Sequence, residues 1–279
     1  MRLRVDLAYD GAGFSGWAKQ PNLPSVQQTL ETALAKALRL DLSLVRTVVA
    51  GRTDSGVHAT GQVCHVDLPS DHALVAEPHK VDKELLKRLR GALGKTSAIW
   101  VERVMIAPDG FDARFSPLRR RYEYRIADGR ARKDPRTAGH TLWMSDSLNQ
   151  AAMNRLGKAL LGLHDWASFC RAREGATTIR TLEKFSWVRD SEGVLCGTVV
   201  ADAFCHSMVR SLVGAAIAVG KGDLDVSEIV ALRDQTARTS AWKTMPAHGL
   251  TLVEVIYPKD RELARRAELT RAQRTPLSD

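Results

Sequence analysis

Apolar and polar residues alternate at the start of the chain. From Leu3 to Tyr9 every second side chain is apolar, the two-residue period of a half-buried strand, so we predict a strand over 2–9 that the following glycines end. Ser25 and Gln28 then form a capping box ahead of an apolar stripe with helical spacing. This pattern predicts a helix over 25–40.

The same two periods continue through the chain, separated by turn-rich segments. They predict strands at 44–50, 62–68, 99–106, 121–126 and 250–256, helices at 82–93, 147–161, 206–219 and 227–234, and a hairpin turn at 191–193. We therefore expect an α+β fold of two domains, each with a mixed, largely antiparallel sheet and helices on one face.

The turn-rich residues 107–110 suggest where the two domains join. We place an N-terminal domain at 1–107 and a C-terminal domain at 108–279. Residues 259–279 mix Arg, Glu and Ala without a sustained apolar face, so we expect a loosely held tail there.

The composition is that of an ordinary globular protein, with 44% hydrophobic and 26% charged residues. The longest apolar stretch, 209–219, is shorter than the roughly 20 residues that cross a bilayer, and the N-terminus lacks the apolar run of a signal peptide. We expect a cytoplasmic protein without a membrane partner.

The net charge of +9 favours a polyanionic partner. Between Arg114 and Arg136 nine Arg and Lys residues face three acidic ones, so two thirds of the excess lies in that segment. A solvated loop would explain the segment, but clustered positive charge favours a surface that binds phosphates.

Four widely spaced cysteines, at 64, 170, 196 and 205, include no Cys-x-x-Cys pair. We interpret them as buried thiols, since a chain of this size in a reducing compartment does not need disulfides. A zinc site around Cys205 and His206 would need a ligand spacing that is missing, so we expect no metal.

Gly11–Gly16 matches G-x-G-x-x-G after a strand, but no helix begins there, so we do not predict a dinucleotide site. In Gly51–His58 (GRTDSGVH) two glycines bracket Arg52 and Asp54. An Arg beside an Asp can hold the carboxylate ionised, as a nucleophile or general base requires. On chemistry alone, a stiffened hairpin turn explains this loop equally well.

Two further features suit RNA chemistry. Tyr122 lies on a predicted strand among arginines, where an aromatic ring can stack on an unpaired base, whereas we assign Tyr124 to the core. Arg210 interrupts an apolar helix, and such a cation usually faces a cleft or pairs with a carboxylate. An RNA hydrolase that uses Asp54 and His58, and an RNA-binding module without catalysis, are the competing interpretations.

Short motifs then follow one another in a fixed order. They are YDG at 9–11, GW at 16–17, SVQ at 25–27, GRTD at 51–54, GVHA at 56–59, GQV at 61–63, ARFS at 113–116, RYEY at 121–124, DWASF at 165–169, MVR at 208–210 and GLTL at 249–252. In order and spacing the chain resembles the tRNA pseudouridine synthase A family up to about residue 258.

The resemblance implies isomerisation of uridine to pseudouridine in the tRNA anticodon stem-loop, at positions 38–40. Asp54 would be the nucleophile, Tyr122 the ring that stacks on the target uridine, Arg52 an aid to base flipping paired with Asp54, and Arg210 a brace for the same carboxylate. It also implies two domains flanking a basic catalytic cleft, a homodimer that binds one tRNA across both subunits, and no metal or organic cofactor.

We further expect RNA contacts from aromatic and basic residues around these motifs: Phe111, Arg114, Phe115, Arg119, Arg120, Arg121, Arg125, Arg171 and Arg173. The chain departs from the family pattern at Ala18, Lys19, Asp112 and Ser207. These departures put particular RNA contacts in doubt and leave the predicted reaction unchanged.

Overall fold

The structure is a computed structural model that describes residues 1–171, 177–235 and 237–271. In chain order its elements are β1 (Arg2–Tyr9), α1 (Val26–Leu38), β2 (Thr47–Val49), β3 (His58–Asp67), α2 (Ala73–Ala76), α3 (Leu86–Leu93), β4 (Ile99–Ile106), β5 (Arg119–Ala127), β6 (Leu142–Trp143), α4 (Gln150–Ala159), β7 (Gly162–Asp165), β8 (Ile179–Arg189), β9 (Leu195–Ala201), α5 (Met208–Lys221), α6 (Val226–Arg233), β10 (Leu250–Ile256) and α7 (Leu263–Arg271).

The chain divides into two compact units. The first unit contains Met1–Leu118 and the chain from Leu252 to the last described residue, and the second unit contains Arg119–Thr251. The division therefore differs from the predicted boundary at 107. Residues 108–118 belong to the first unit because they bond to the returning chain: Leu118 N–H donates to the carbonyl of Ile256 at 2.8 Å.

The sheet of the first unit has the strand order β4-β1-β3-β10, and β2 also pairs with β3. β1 is antiparallel to both β3 and β4, with Val5 opposite Cys64 and Val104. The alternating pattern of β1 buries Leu3, Val5 and the residues that follow in register. Helix α1 begins where the Ser25 hydroxyl accepts from Gln28 N–H at 3.3 Å, as the capping box predicts.

The sheet of the second unit has the order β5-β9-β8-β7, antiparallel throughout, and the short β6 pairs with β5 in parallel. Helix α4 packs on β8 and against α5 and α6. α5 is apolar nearly all round, and twelve of its 14 residues are buried, as expected of a core helix. The predicted mixed, largely antiparallel α+β class is confirmed.

Among the described residues, no helix has the length and apolar character needed to cross a bilayer. α5 is the longest helix there, and its 14 residues would span about 21 Å.

The C-terminal segment differs from the expected loose tail as far as residue 271. Helix α7 buries Leu263 and Ala267 in the first unit, and the Ser116 hydroxyl donates to the Leu263 carbonyl at 3.2 Å. Arg266 Nε also donates to the Pro117 carbonyl at 3.2 Å. These two buried residues, four positions apart, attach the helix to the first unit. Two apolar residues are too few for the sequence pattern to reveal the helix.

Candidate active site

Asp54 lies on the loop that joins the antiparallel strands β2 and β3. The loop makes a turn in which Val57 N–H donates to the Asp54 carbonyl at 3.2 Å, and Gly56 adopts φ +76°. A positive φ favours glycine, which explains the second glycine of the motif. The hairpin interpretation and the catalytic interpretation therefore describe the same loop.

The side chains of Arg52 and Asp54 differ in exposure. Arg52 is exposed, whereas Asp54 is half-buried. Within the described ranges the structure shows no ion pair between the two, so the pairing that the resemblance implies stays a prediction.

Gly11–Gly16 lies against the Asp54 loop. Gly56 N–H donates to the Phe14 carbonyl at 3.2 Å, and Trp17 N–H donates to the Thr53 carbonyl at 3.0 Å. The next helix, α1, begins only after Ser25. The helix start that a dinucleotide phosphate would need is thus absent from this loop, as the sequence predicts.

His58 is buried, with 8% of its surface exposed. Its Nδ1 lies 3.1 Å from Gly11 N and 3.0 Å from the Asp10 carboxylate. These contacts tie the imidazole to the end of β1 and indicate a structural role. The geometry therefore weakens the hydrolase interpretation, which needs this ring to act on a nucleophile.

Tyr122 lies at the middle of β5, opposite Val199 of β9. Its ring packs edge-on against Phe204, with ring centroids 5.2 Å apart, and 8% of its surface is exposed. Two residues along the same strand, Tyr124 is fully buried and its hydroxyl donates to the Pro246 carbonyl at 2.9 Å. The core assignment of Tyr124 is confirmed.

Arg210 occupies the first turn of α5. Its Nη1 donates to the Met245 carbonyl at 3.2 Å and its Nη2 donates to the Ser207 hydroxyl at 3.1 Å. Burial raises the pKa of Tyr124, and the positive charge of Arg210 partly offsets this rise. The second unit thus holds Tyr122 and Arg210, and the first unit holds Asp54 and Arg52.

Comparison with known proteins identifies the family. Residues 157–258 match the family model described as tRNA pseudouridine synthase. The chain is 57% identical to tRNA pseudouridine synthase A of Leifsonia xyli subsp. xyli, over 98% of both chains. It is 50% identical to the protein of that name from Frankia casuarinae, over 99% of this chain and 96% of the relative.

The chain belongs to the tRNA pseudouridine synthase A family. The predicted family and the predicted class of enzyme are thereby confirmed. An identity of 49% to the Streptomyces griseus protein of the same name, over 99% of this chain, agrees with this assignment.

Three departures from the pattern of this family have visible partners. Lys19 Nζ lies 2.5 Å from the buried Glu31 carboxylate. Asp112 accepts from Arg114 N–H and Phe115 N–H at 2.9 and 3.0 Å and so shapes their turn. Ser207 holds Arg210, as described above. Each of the three replacements therefore supports the position of neighbouring residues.

The structure revises several candidate RNA contacts of this family member. Phe111 is 1% exposed and lies beside the Tyr257 ring, with centroids 5.0 Å apart, so its ring belongs to the core. Arg120 is 8% exposed and donates to the Asp202 carbonyl at 2.6 Å, an inward-facing strand position. Neither residue presents a surface on which RNA could bind.

Three other candidates of β5 form ion pairs within the second unit: Arg119 with Glu183 at 2.7 Å, Arg121 with Glu123 at 2.7 Å and Arg125 with Asp190 at 3.0 Å. In two of the three pairs the carboxylate is distant in sequence from its arginine. These carboxylates offset part of the positive charge that we counted between Arg114 and Arg136. Paired surface arginines still reach solvent, so their phosphate contacts stay predictions.

Arg114 and Arg171 are exposed, and Phe115 is half-buried. The guanidinium groups of Arg114 and Arg271 lie 4.9 and 5.0 Å from the centre of the Phe115 ring. Arg173 lies outside the described residues. The sequence pattern does not single out Arg271, because that residue falls in the segment interpreted as a tail.

The cysteine prediction is wrong for one pair. Cys170 and Cys205 form a disulfide with a Cα–Cα distance of 5.9 Å, whereas Cys64 is a buried free thiol, as predicted, and Cys196 is a free thiol that is only half-buried. The two cysteines are 35 residues apart in sequence, so the sequence pattern did not predict that they lie close together. The bond also removes the Cys205 thiolate that a zinc site would have needed.

Proposed function

We propose that this enzyme converts uridine to pseudouridine in the anticodon stem-loop of tRNAs, at positions 38–40, with Asp54 as the nucleophile. One observation carries the proposal: the family-specific GRTD run forms a glycine-bracketed hairpin loop that leaves the Asp54 carboxylate half-buried. A half-buried carboxylate can stay charged and still meet a substrate.

The reaction breaks the N1-glycosidic bond, turns the uracil ring and joins C5 to the sugar, while the C5 hydrogen leaves as a proton and N1 takes up a proton. No electrons and no external group enter this isomerisation. The carboxylate of Asp54 would attack the uracil ring or the sugar as a nucleophile, or would remove a sugar proton as a base, and each route requires the same carboxylate. In each case the base must leave its stack first, which costs a few kcal/mol.

We propose roles in the same reaction for three further residues. Tyr122 would stack on the extruded uracil, since base–aromatic stacking contributes roughly 1 to 3 kcal/mol. Arg210, held by Met245 and Ser207, would brace the carboxylate, and the exposed Arg52 would help the base to leave its stack. We propose a cytoplasmic homodimer in which one tRNA contacts both subunits.

The decisive experiment measures tritium release from tRNA labelled at uridine C5. Asp54→Asn should abolish release and keep tRNA affinity within about threefold, because the substitution removes the charge and keeps the shape. The matched control is Asp71→Asn, since Asp71 is an exposed aspartate of the same unit. Release by Asp54→Asn at the wild-type rate would overturn the assignment.

The competing functions give different products. A non-catalytic RNA-binding module would bind tRNA and release no tritium in the wild-type protein. A hydrolase would shorten the strand on a denaturing gel, whereas isomerisation leaves its length unchanged. Substituting cytidine for uridine at position 38, 39 or 40 in turn tests the proposed target, because release should fall only with the uridines that react.

RNA binding is tested separately through salt dependence. Neutralising the exposed Arg114 and Arg171 to Gln should lower the slope of log affinity against log salt by about 1 for each phosphate that the variant no longer binds. Arg88→Gln is the control, since Glu84 lies 3.5 Å from that guanidinium and offsets its charge. An unchanged slope in the double variant would refute these contacts.

A further inference from the structure

A chain of buried hydrogen bonds ends at the residue before Asp54. The Gln62 side-chain amide, fully buried, donates to the Tyr9 hydroxyl at 3.1 Å and to the Gly51 carbonyl at 2.9 Å. The Tyr9 and Thr53 hydroxyl oxygens lie 2.7 Å apart. Gly51 and Thr53 are the two neighbours of Arg52, so Gln62 bonds the backbone before that residue and Tyr9 bonds the side chain after it.

The direction of this chain follows from the donors available. The Oε1 of Gln62 accepts from Val63 N–H at 3.2 Å, which orients the amide so that its NH2 group faces Tyr9. An amide NH2 only donates, so the Tyr9 oxygen accepts from Gln62 and its own proton is donated to Thr53. Burial raises the pKa of Tyr9 to about 12, so this proton is retained at neutral pH.

Two glycines bring a second segment close to the same loop. A Cβ atom on Gly11 would lie 2.1 Å from the Val57 carbonyl oxygen, and one on Gly16 would lie 2.9 Å from the Thr53 carbonyl oxygen. Gly16 also has φ +99°, which side chains rarely adopt. A Cβ on Gly13, by contrast, would meet nothing within 4 Å. Gly11 and Gly16 are therefore needed for close approach, and Gly13 is not.

We propose that Tyr9, Gln62, Gly11 and Gly16 are positioning residues, which hold the Asp54 loop in its reactive geometry through Thr53 and Val57. The proposal rests on the proposed function of Asp54. Carboxylate attack depends on near-exact placement, and a displacement of about 1 Å can lower the rate on the order of 100-fold. The first and last glycines of the G-x-G-x-x-G run thus serve backbone packing against the catalytic loop.

Removal of single hydroxyl groups tests the proposal. Tyr9→Phe and Thr53→Val keep shape and delete the same hydrogen bond. Each should lower kcat about 10- to 100-fold while KM for tRNA stays within about twofold, and Thr53→Ser should restore most of the rate. Tyr257→Phe is the matched control, because that hydroxyl donates to the Ala113 carbonyl at 2.9 Å in the same unit.

A double-mutant cycle separates positioning from general destabilisation. If Tyr9 and Thr53 act through their shared bond, the Tyr9→Phe/Thr53→Val double variant should lose about as much kcat as either single variant. Independent effects would multiply the two losses and would contradict the proposal. Thermal melts of all variants would check that each kcat is measured on folded protein.

The glycines provide an independent comparison. Gly11→Ala should lower kcat at least 10-fold or prevent folding, whereas Gly13→Ala should leave kcat within about twofold of wild type. If Gly11→Ala does not fold, the hydroxyl variants decide. Wild-type kcat in Tyr9→Phe and Thr53→Val, beside an inactive Asp54→Asn, would overturn the positioning proposal alone. Turnover by Asp54→Asn would overturn the proposed function itself.

Discussion

Asp128 is the buried carboxylate on which we expect the stability of the second unit to depend most. It follows β5, its side chain is fully buried, and its two oxygens accept from Arg189 Nη1 and Nη2 at 2.9 and 2.7 Å. Leu148 N–H and Arg130 N–H donate to it at 2.8 and 3.1 Å. One carboxylate thus joins the end of β5 to β8 and to the chain that precedes α4.

Asp128→Asn keeps the volume and replaces one acceptor oxygen by an NH2 donor that faces other donors. Removing one partner of a buried ion pair costs about 3 to 5 kcal/mol. Because the Arg189 side chain is 20% exposed, water can solvate part of the unpaired charge, and we expect a loss of about 3 kcal/mol, near the lower limit. At about 2 to 4 °C for each kcal/mol, the melting temperature should fall by roughly 6 to 12 °C.

The assay is urea unfolding at pH 7, followed by circular dichroism and by tryptophan fluorescence. Asp134→Asn is the matched control, since Asp134 pairs with an Arg136 side chain that is 88% exposed, and its loss should have little effect. Equal free energies of unfolding for the two variants, or a loss below about 1 kcal/mol for Asp128→Asn, would refute the reasoning.

The pH dependence provides a second measurement on the same group. Burial by itself raises the pKa of Asp128, but the hydrogen bonds from Arg189, Leu148 N–H and Arg130 N–H outweigh it and hold the pKa below its ordinary value. A lowered pKa contributes stability above the unfolded value of about 3.9, and this contribution is lost as pH falls through the folded pKa. The stability difference between wild type and Asp128→Asn should therefore shrink below about pH 4.

Three further predictions concern other parts of the structure. Gly61→Ala should destabilise strongly, because its Cβ would lie 2.1 Å from the Val253 carbonyl oxygen, whereas Gly91→Ala in α3 should stabilise slightly; thermal melts compare them. Burial lowers the pKa of His65 to about 4, so the free energy of unfolding should fall as the pH is lowered from 6.5 to 4, by up to about 1.4 kcal/mol per pH unit. In urea titrations His65→Asn should show a smaller fall, since its amide oxygen can still accept from Ala113 N–H. Thiol titration of denatured protein should find two thiols before reduction and four after it, because Cys170 and Cys205 are bonded; four thiols at the outset would contradict this.

Local patterns predicted many of the helices and strands of this protein and pointed to its chemistry, but they did not reveal β7, β8, β9 or α7. The alternation in β1 and the Ser25 N-cap lie where the sequence places them, because both depend on neighbours within four residues. The GRTD run identified the family and made Asp54 the candidate nucleophile, since the motif is contiguous. The α+β class followed from the order of such elements.

Partners distant in sequence were decided by the tertiary structure alone. Asp128 meets Arg189 across 61 residues, Cys170 meets Cys205 across 35, and Tyr9 meets Thr53 across 44. The burial of Phe111 and Arg120 also argues against the RNA contacts that we expected from their positions beside the motifs. A one-dimensional pattern records what each residue can bond or bury, but the packing of strands and helices decides which groups come within 3 Å, because a hydrogen bond depends on distance and angle.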